Sequence, residues 1–492
     1  MASAPKNSSR DAAAVQAESA LLGALRRAFG FEPRASSGLP DGSQSASLPS
    51  SILVGLSGGL DSSLLLRLLC DLRACGDLEV PLRAIHINHG LQADANQWQS
   101  HCESVCAEWE VDLRVCNVDC AVSGASAASE GAELPQASED AARRARYQAF
   151  EDALGARECL ALGHHQDDQL ETLLLRLARG AGADGLAGMP ATRVLGVGSL
   201  VRPWLGIPRR ILEQVAQERR LVFIEDPSNR NTRYDRNLLR AQVLPLVESR
   251  WPQYRQSWGK SQTLLRESFT LNEDLADIDL QSCQIEGSGR LRLSELAVLS
   301  SPRRRNLLRH WLLRLGCATP SWNLLSRLDV EVCARADQGA RWHCGDYSLY
   351  RYKGQLVAVL EDRFRPQPLA GACSATASTG VIELPDNGEL VLASDGDASR
   401  MIASLQVRYR QGGEHLSLLG RPSKSLKKLL NEEGVSPWLR ERLPLVFYAD
   451  ELIWVAGLGY CESAAAKAAG RGDCGLARVT FSWEPPALEL GL

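Results

Sequence analysis

The sequence predicts an α/β protein: a parallel sheet with helices on both faces, then a mainly helical domain, then a small α+β C-terminal domain. Three observations carry that expectation. Short apolar runs alternate with helix-period segments from Ile52 to about Pro245, the order that builds parallel sheets. The first apolar run ends in a glycine-rich turn that leads straight into a helix, at the strand end where such sheets bind ligands. At 492 residues the chain exceeds one hydrophobic core, and length alone suggests about three domains.

Residues 1–48 start with an amphipathic helix around Ala12–Phe31 and turn Ser/Gly/Pro-rich, an extension and linker with no assignable chemistry. Residues 49–245 form the first domain. Its expected strands are Ile52–Leu56, Leu82–Asn88, Val111–Val118 and Cys159–Gly163. Its expected helices are Ser63–Ala74, Gln92–Trp109, Ser138–Leu154 and Asp167–Arg179, with a loop of small residues at Ala121–Pro135. Residues 246–365 read as helices finishing in a β-like stretch, Tyr347–Leu360. A punctuated segment, Arg365–Thr379, precedes 380–492, which mixes strands with one Lys-rich helix, Ser423–Glu432.

Composition narrows the function classes. No run approaches the roughly 18 apolar residues of a membrane span, so no membrane partner is expected. The start, MASAPKNSSRDAAA, lacks the basic-then-apolar order of a signal peptide, and a cytoplasmic location is expected. Fourteen cysteines are scattered without CxxC spacing, which argues against a disulfide scaffold or a sulfur-transferring iron–sulfur set. The net charge of -4 means that any nucleic-acid partner must meet local positive surface.

The strongest chemical signal is Ser57-Gly58-Gly59-Leu60-Asp61-Ser62, between a strand and a helix. Glycines let backbone approach a ligand; exposed amides, serine hydroxyls and a helix N-terminus favour an anion. Asp61 suits such a place when a Mg²⁺ ion lies between it and phosphate. The loop lacks the GK[ST] of a Walker A motif. An ordinary capped helix start is the plainer reading.

His86-Ile-Asn88-His-Gly-Leu91 ends the second strand, on the nucleotide-facing edge; its histidines could equally satisfy local backbone. Leu162-Gly-His-His-Gln-Asp-Asp-Gln-Leu-Glu-Thr172 ends a strand and opens a helix. Leu170, Leu173, Leu174 and Leu177 have core spacing, which leaves Asp168 and Thr172 opposite and Glu171 on the flank. Asp168 and Glu171 can then project into a cleft one turn apart; capping alone would also favour Asp167 and Asp168. Arg143, Arg146 and Tyr147 share a helix face that could clamp phosphate or stack on a base, with Ala142, Ala145 and Ala149 towards the core. A solvated basic face is the alternative.

SGGLDS, HINHGL and HHQDDQLET, in this order and spacing, resemble the PP-loop catalytic domain of the tRNA(Ile)-lysidine synthetases, adenine nucleotide alpha hydrolase-like ATP pyrophosphatases. Further matches are Ala142–Tyr147, Gly185–Met189, Arg202-Pro203, Asp226-Pro-Ser-Asn229, Arg236-Asn237 and Arg240. Ser301–Arg314 resembles the family's tRNA-binding domain. Val407–Glu414, Lys424–Leu430 and Val435–Arg440 resemble its C-terminal domain, with Lys424, Lys427 and Lys428 as one cationic helix face.

The resemblance implies that ATP adenylates the wobble cytidine of a CAU-anticodon tRNA(Ile), and that L-lysine then displaces AMP. By the same implication Ser57, Gly58, Gly59, Leu60, Asp61, Ser62, His86 and Asn88 hold ATP, with Asp61 at Mg²⁺. Asp61, Asp168, Glu171, Arg143 and Arg146 are the catalytic candidates: Asp168 to bind or deprotonate the amine, Glu171 to position it, the arginines to neutralise phosphate. Other PP-loop products, or a tRNA-binding protein without catalysis, are the competing classes.

Overall fold

Ile52-Leu-Val-Gly55 forms the central strand, β1, and its alternation serves two cores at once. Ile52 and Val54 face one cluster while Leu53 faces the other, all three fully buried. The structure is a computed structural model describing residues 7–31, 48–88, 95–118, 135–332, 334, 340–360, 381–394, 405–418, 420–448, 450–462 and 479–490. Two compact units result, Met1–Thr270 and Leu271–Leu492.

In the first unit β1 pairs in parallel with β2 (Leu82–Asn88) and β4 (Cys159–Ala161), and β2 with β3 (Asp112–Asn117). The sheet order is β3-β2-β1-β4-β6-β5. The last pair, β5 (Thr192–Leu195) and β6 (Gly198–Val201), is an antiparallel hairpin on the edge that the sequence reading did not anticipate. Helices α2 (Leu60–Ala74), α3 (Ala95–Glu108), α4 (Pro135–Ala153) and α5 (Gln166–Ala178) match expected segments within a few residues, and a single short turn of helix, α6 (Ala183–Leu186), follows. Helix α2 begins three residues earlier than periodicity suggested, because the glycine turn itself starts the helix. Leu177, expected in the core, is 52% exposed on the last turn of α5.

The first 48 residues are more than a linker. Helix α1 (Asn7–Phe29) buries Leu21, Leu25 and Phe29 in the same cluster as β1 and α2. It packs there against α7 (Arg209–Glu218), which contributes Leu212 and Val215. The linker residues 32–47, the loop at 121–134 and the segment 365–379 lie outside the described residues. The chain then passes α8 (Asp235–Leu238), a π-helical turn at Leu239–Val243, α9 (Leu244–Arg250) and α10 (Tyr254–Cys283), whose first half belongs to this unit.

The second unit is α+β. Strands Leu291–Arg292, Gln355–Leu360, Tyr347–Tyr352 and Arg341–His343 pair antiparallel in that order. Helices Leu293–Val298, Ser301–Arg314 and Trp322–Glu331 bury Leu296, Leu308, Trp311 and Leu328 in the same core. The basic start of the middle helix is neutralised locally: Arg303 pairs with Asp279, and Arg304 and Arg305 with Asp329. Small antiparallel sheets make up the rest. Lys424 is a strand residue paired with Glu432, so the expected cationic helix face shrinks to Lys427 and Lys428 on Leu426–Glu432. Among the described residues no helix is long and apolar enough to cross a membrane.

Leu21 is fully buried. Its replacement, Leu21→Ala, should cost about 2–5 kcal/mol in urea unfolding; a free N-terminal arm would give a value near zero.

Candidate active site

The carboxyl ends of β1, β2 and β4 open into a cavity of about 1110 Å³, above the roughly 300–1,000 Å³ typical of single small-molecule sites. Its floor is the glycine turn. The Ser62 hydroxyl accepts from the Ser57 amide at 3.1 Å and donates to the Gly59 carbonyl at 3.2 Å. Its one proton thus committed, it accepts from the Ser57 hydroxyl at 2.9 Å, and Ser57 Oγ accepts from the Gly59 amide at 3.3 Å. The turn therefore holds its shape before any ligand arrives. Gly58 sits at φ +83°, and a Cβ there would lie 3.2 Å from Cys102 Sγ and 3.4 Å from Ile224 Cδ1. Leu60 opens α2 and packs against the core.

Asp61 follows in the first turn of α2. Its Oδ2 lies 3.7 Å from His165 Nε2, while Oδ1 is buried without a hydrogen-bond partner. Burial raises its pKa, and His165, Arg209 and Arg240 offset this only in part. A half-buried acid with one buried, unpartnered oxygen beside an anion loop fits a divalent cation. Among the described residues no three His, Cys, Asp or Glu side chains form a closed cage. Substrate phosphates would complete such a shell, as is usual for Mg²⁺.

His86 is buried with Nδ1 2.9 Å from the Leu56 carbonyl, so the ring donates there and fixes the approach to the turn. Burial lowers its pKa, with the Leu56 contact and Glu103 partly opposing. The local-backbone reading thus accounts for Nδ1, although the ring also lines the cavity, as does Asn88. His89, Gly90 and Leu91 lie outside the described residues.

His164 and His165 point apart. His165 caps α5: its Nδ1 accepts from the Asp168 amide at 3.4 Å, and Asp168 Oδ2 accepts from the His165 amide at 2.9 Å. The other ring nitrogen, Nε2, faces Asp61. His164 instead lines the cavity; burial, opposed by Asp168 and reinforced by Arg202, Arg143 and Arg236, pushes its pKa down to about 3. Gly163 makes the junction possible, because a Cβ there would lie 2.8 Å from the Asp61 carbonyl oxygen.

The two acids of α5 diverge. Burial opposes ionisation of Asp168, but His165, His164, the His165 amide and Arg240 outweigh it and hold the carboxyl below its ordinary range. Glu171 is fully buried; burial raises its pKa, Arg240 offsets part of that, and Asp168 adds to it. Asp168 lines the cavity. Glu171 does not project into it as expected, nor does Thr172, which is buried as well. Glu171 instead holds Arg240, whose Nε donates to it at 2.8 Å while Nη2 lies 3.5 Å from Asp168.

On α4, Arg143, Arg146 and Tyr147 line the cavity as their spacing suggested. Ala142, assigned to the core, lines it too, and Phe150 takes the core place. Tyr147 is half-buried between Arg143 and Arg193, each 5.1 Å from its ring, and accepts from Arg202 at 3.3 Å. It is a spacer between arginines, not an exposed stacking platform. Lining residues to which sequence reasoning gave no role in the site include Trp98, Arg209, Phe223, Asp226, Arg236 and Arg240. Of these, Asp226, Arg236 and Arg240 carried a signal, through the resemblance.

Comparison with known proteins gives matches over most of the chain. A PP-loop domain profile matches residues 41–247, a TilS substrate binding domain 291–357, and a TilS substrate C-terminal domain 405–474. The chain is 42% identical over 411 residues to the tRNA(Ile)-lysidine synthase of Pseudomonas fluorescens, covering 82% of this chain and 88% of that one. It is 40% identical over 448 residues to the Pseudomonas aeruginosa protein of that name, covering 89% and 94%. Against the Photorhabdus laumondii protein of that name the identity is 39% over 444 residues, covering 89% and 95%.

The histidines set a pH dependence. His164 falls from 6.5 to about 3 on folding and His86 moves the same way, so the unfolded chain binds more protons across that window. Stability should fall as pH drops below about 6.5, before ordinary carboxylates titrate. His164→Gln should flatten the slope of urea stability between pH 6.5 and 5 without abolishing it, since His86 remains; an unchanged slope would contradict the assignment.

Proposed function

The chain belongs to the tRNA(Ile)-lysidine synthase family, and from that membership we propose how this ATP-binding tRNA ligase makes lysidine. The tRNA substrate is the isoleucine tRNA with a CAU anticodon. The cytidine C2 oxygen attacks the α-phosphate of ATP and pyrophosphate leaves. The ε-amine of L-lysine then attacks carbon 2, a C–N bond forms, the C–O bond breaks, and the oxygen departs with AMP. The product pairs with A in place of G, so the tRNA reads AUA and carries isoleucine.

The observation that supports this reading is that the Ser57–Ser62 turn and Asp168 line one cavity, with His165 between Asp61 and Asp168. The turn amides and the N-terminus of α2 would hold departing pyrophosphate. Asp61 would hold Mg²⁺, which when bound supplies charge neutralisation at the phosphates. Arg143, Arg146 and Arg236 would take the phosphate of the adenylated tRNA. Asp168 receives the amine: a carboxylate kept ionised suits an ammonium and takes its proton when the amine attacks. Glu171 acts through Arg240 as a positioning residue. Residues 246–365 and 380–492 would bind the tRNA.

Purified protein, ATP, CAU-anticodon tRNA(Ile) and radiolabelled lysine should yield labelled tRNA, with AMP and pyrophosphate in equal amounts. Asp168→Asn should lower lysine incorporation by about 10²-fold or more, while lysine-free pyrophosphate release on the tRNA persists. Near-normal incorporation by that variant would reject the role of Asp168.

A further inference from the structure

We propose that α1 braces the nucleotide turn and that Arg219, at the end of α7, is the positioning residue through which it acts. The proposal rests on the reading of Ser57–Ser62 as the ATP site. Helix α1 lies ahead of the residues 41–247 that match the PP-loop domain, and nothing in the proposed chemistry uses it. Its contacts nevertheless converge on the walls of the cavity.

The ties run along α7. At its N-terminus, the Arg209 amide donates to Asp167 Oδ2 at 2.8 Å, which fixes α7 to the first turn of α5. At its C-terminus, Arg219 reaches two helices. Its Nε and Nη2 donate to the Glu18 carboxylate of α1 at 3.2 and 2.5 Å, and its Nη1 donates to Asp71 of α2 at 2.5 Å. Five residues further on, the Ile224 amide donates to the Gly58 carbonyl at 2.9 Å, and the Ile224 side chain closes over the same glycine. Arg219 thus ties α1, the end of α7 and the helix that leaves the nucleotide turn, just before the chain closes that turn from outside. A second tie runs to the acid wall: the Trp204 indole donates to the Leu21 carbonyl of α1 at 3.4 Å, and Trp204 bridges to His165.

These contacts are independent of the turn's own serine network. The serines set its local shape; the brace sets where Gly58 sits relative to the α2 N-terminus and the Leu221–Asp226 wall. Loss of the Arg219 tie, with the Trp204 tie to the acid wall left in place, should therefore weaken ATP binding while lysine handling at Asp168 stays intact. Helix α1 supplies its own control. Arg26 pairs with Asp77 in the turn after α2 at 2.6 Å, so it tethers α1 without touching α7.

The test measures Kd for ATP by calorimetry and KM for lysine by labelled incorporation, on full-length protein. Arg219→Gln should raise Kd for ATP about five-fold, the usual scale of one coupled pair, with KM for lysine unchanged. Arg219→Lys should recover part of the loss, and Arg26→Gln should leave Kd for ATP unaltered. If Arg219→Gln does not fold, Glu18→Gln decides by the same ratio with a smaller shift. Wild-type affinity with an unshifted variant would overturn the brace alone, as would equal shifts for ATP and lysine or the same shift from Arg26→Gln. A wild-type protein without affinity for ATP would overturn the reading of the turn itself.

Discussion

Three carboxylates crowd one buried region, and the architecture of the first unit follows from keeping them together. Asp61 comes from the helix after β1, Asp168 and Glu171 from the helix after β4, the strand beside it. Burial raises the pKa of both others, and Asp168 adds to it, as like charges in a poorly solvated place must. The arrangement persists because a partner is inserted at each junction: His165 between Asp61 and Asp168, Arg240 between Asp168 and Glu171. The His165 insertion is possible only because α2 and the end of β4 approach within the reach of one imidazole. The bare Cα of Gly163 against the Asp61 carbonyl permits that approach.

The wall facing these carboxylates is rich in the opposite sign, although Glu213, Glu225 and Asp226 also line the cavity. Arg143, Arg146 and Arg236 line it, with Arg202 and Arg193 behind Tyr147. His164 faces these cations and is kept neutral. The proposed ligation, in which an amine that arrives as an ammonium loses a proton and displaces an anionic AMP, needs both signs in one enclosure without mutual cancellation. Tyr147, between two guanidinium groups, separates cations that would otherwise repel across a short gap.

What could be read from the sequence follows the range of the interaction that makes each feature. The strands Ile52–Gly55 and Leu82–Asn88 and the glycine turn are specified by residues within a few positions of one another, and each was legible. The β5–β6 hairpin was not, because Thr192, Arg193 and Val194 are exposed in a row and the buried Leu200 and Val201 are adjacent, which leaves no alternation to read. The exposure of Leu177 and the pairing of Lys424 depend on neighbours no helical wheel supplies. The burial of α1 depends on α7, some two hundred residues away in the chain. Glu171 looked like a cavity acid because its side chain chemistry and helical phase allowed it; only the position of Arg240 shows that it serves an arginine.

Arg240 shows why carboxylates are easier to find in a sequence than their counter-ions. An acid beside a glycine turn or at a helix start is conspicuous, because burial there needs a reason. An arginine in Leu239-Arg-Ala-Gln-Val243 reads as one more solvated cation, since its aliphatic stem is compatible with any surface. Yet this segment adopts the rare π-helical turn, a form concentrated at functional sites, without a proline or glycine to signal it. The wide turn is held in part by a contact made at its own Arg240, the 2.8 Å bond to fully buried Glu171. The acids and the backbone irregularity therefore account for each other: Glu171 tolerates burial because the turn delivers a cation, and the turn persists because Glu171 anchors it.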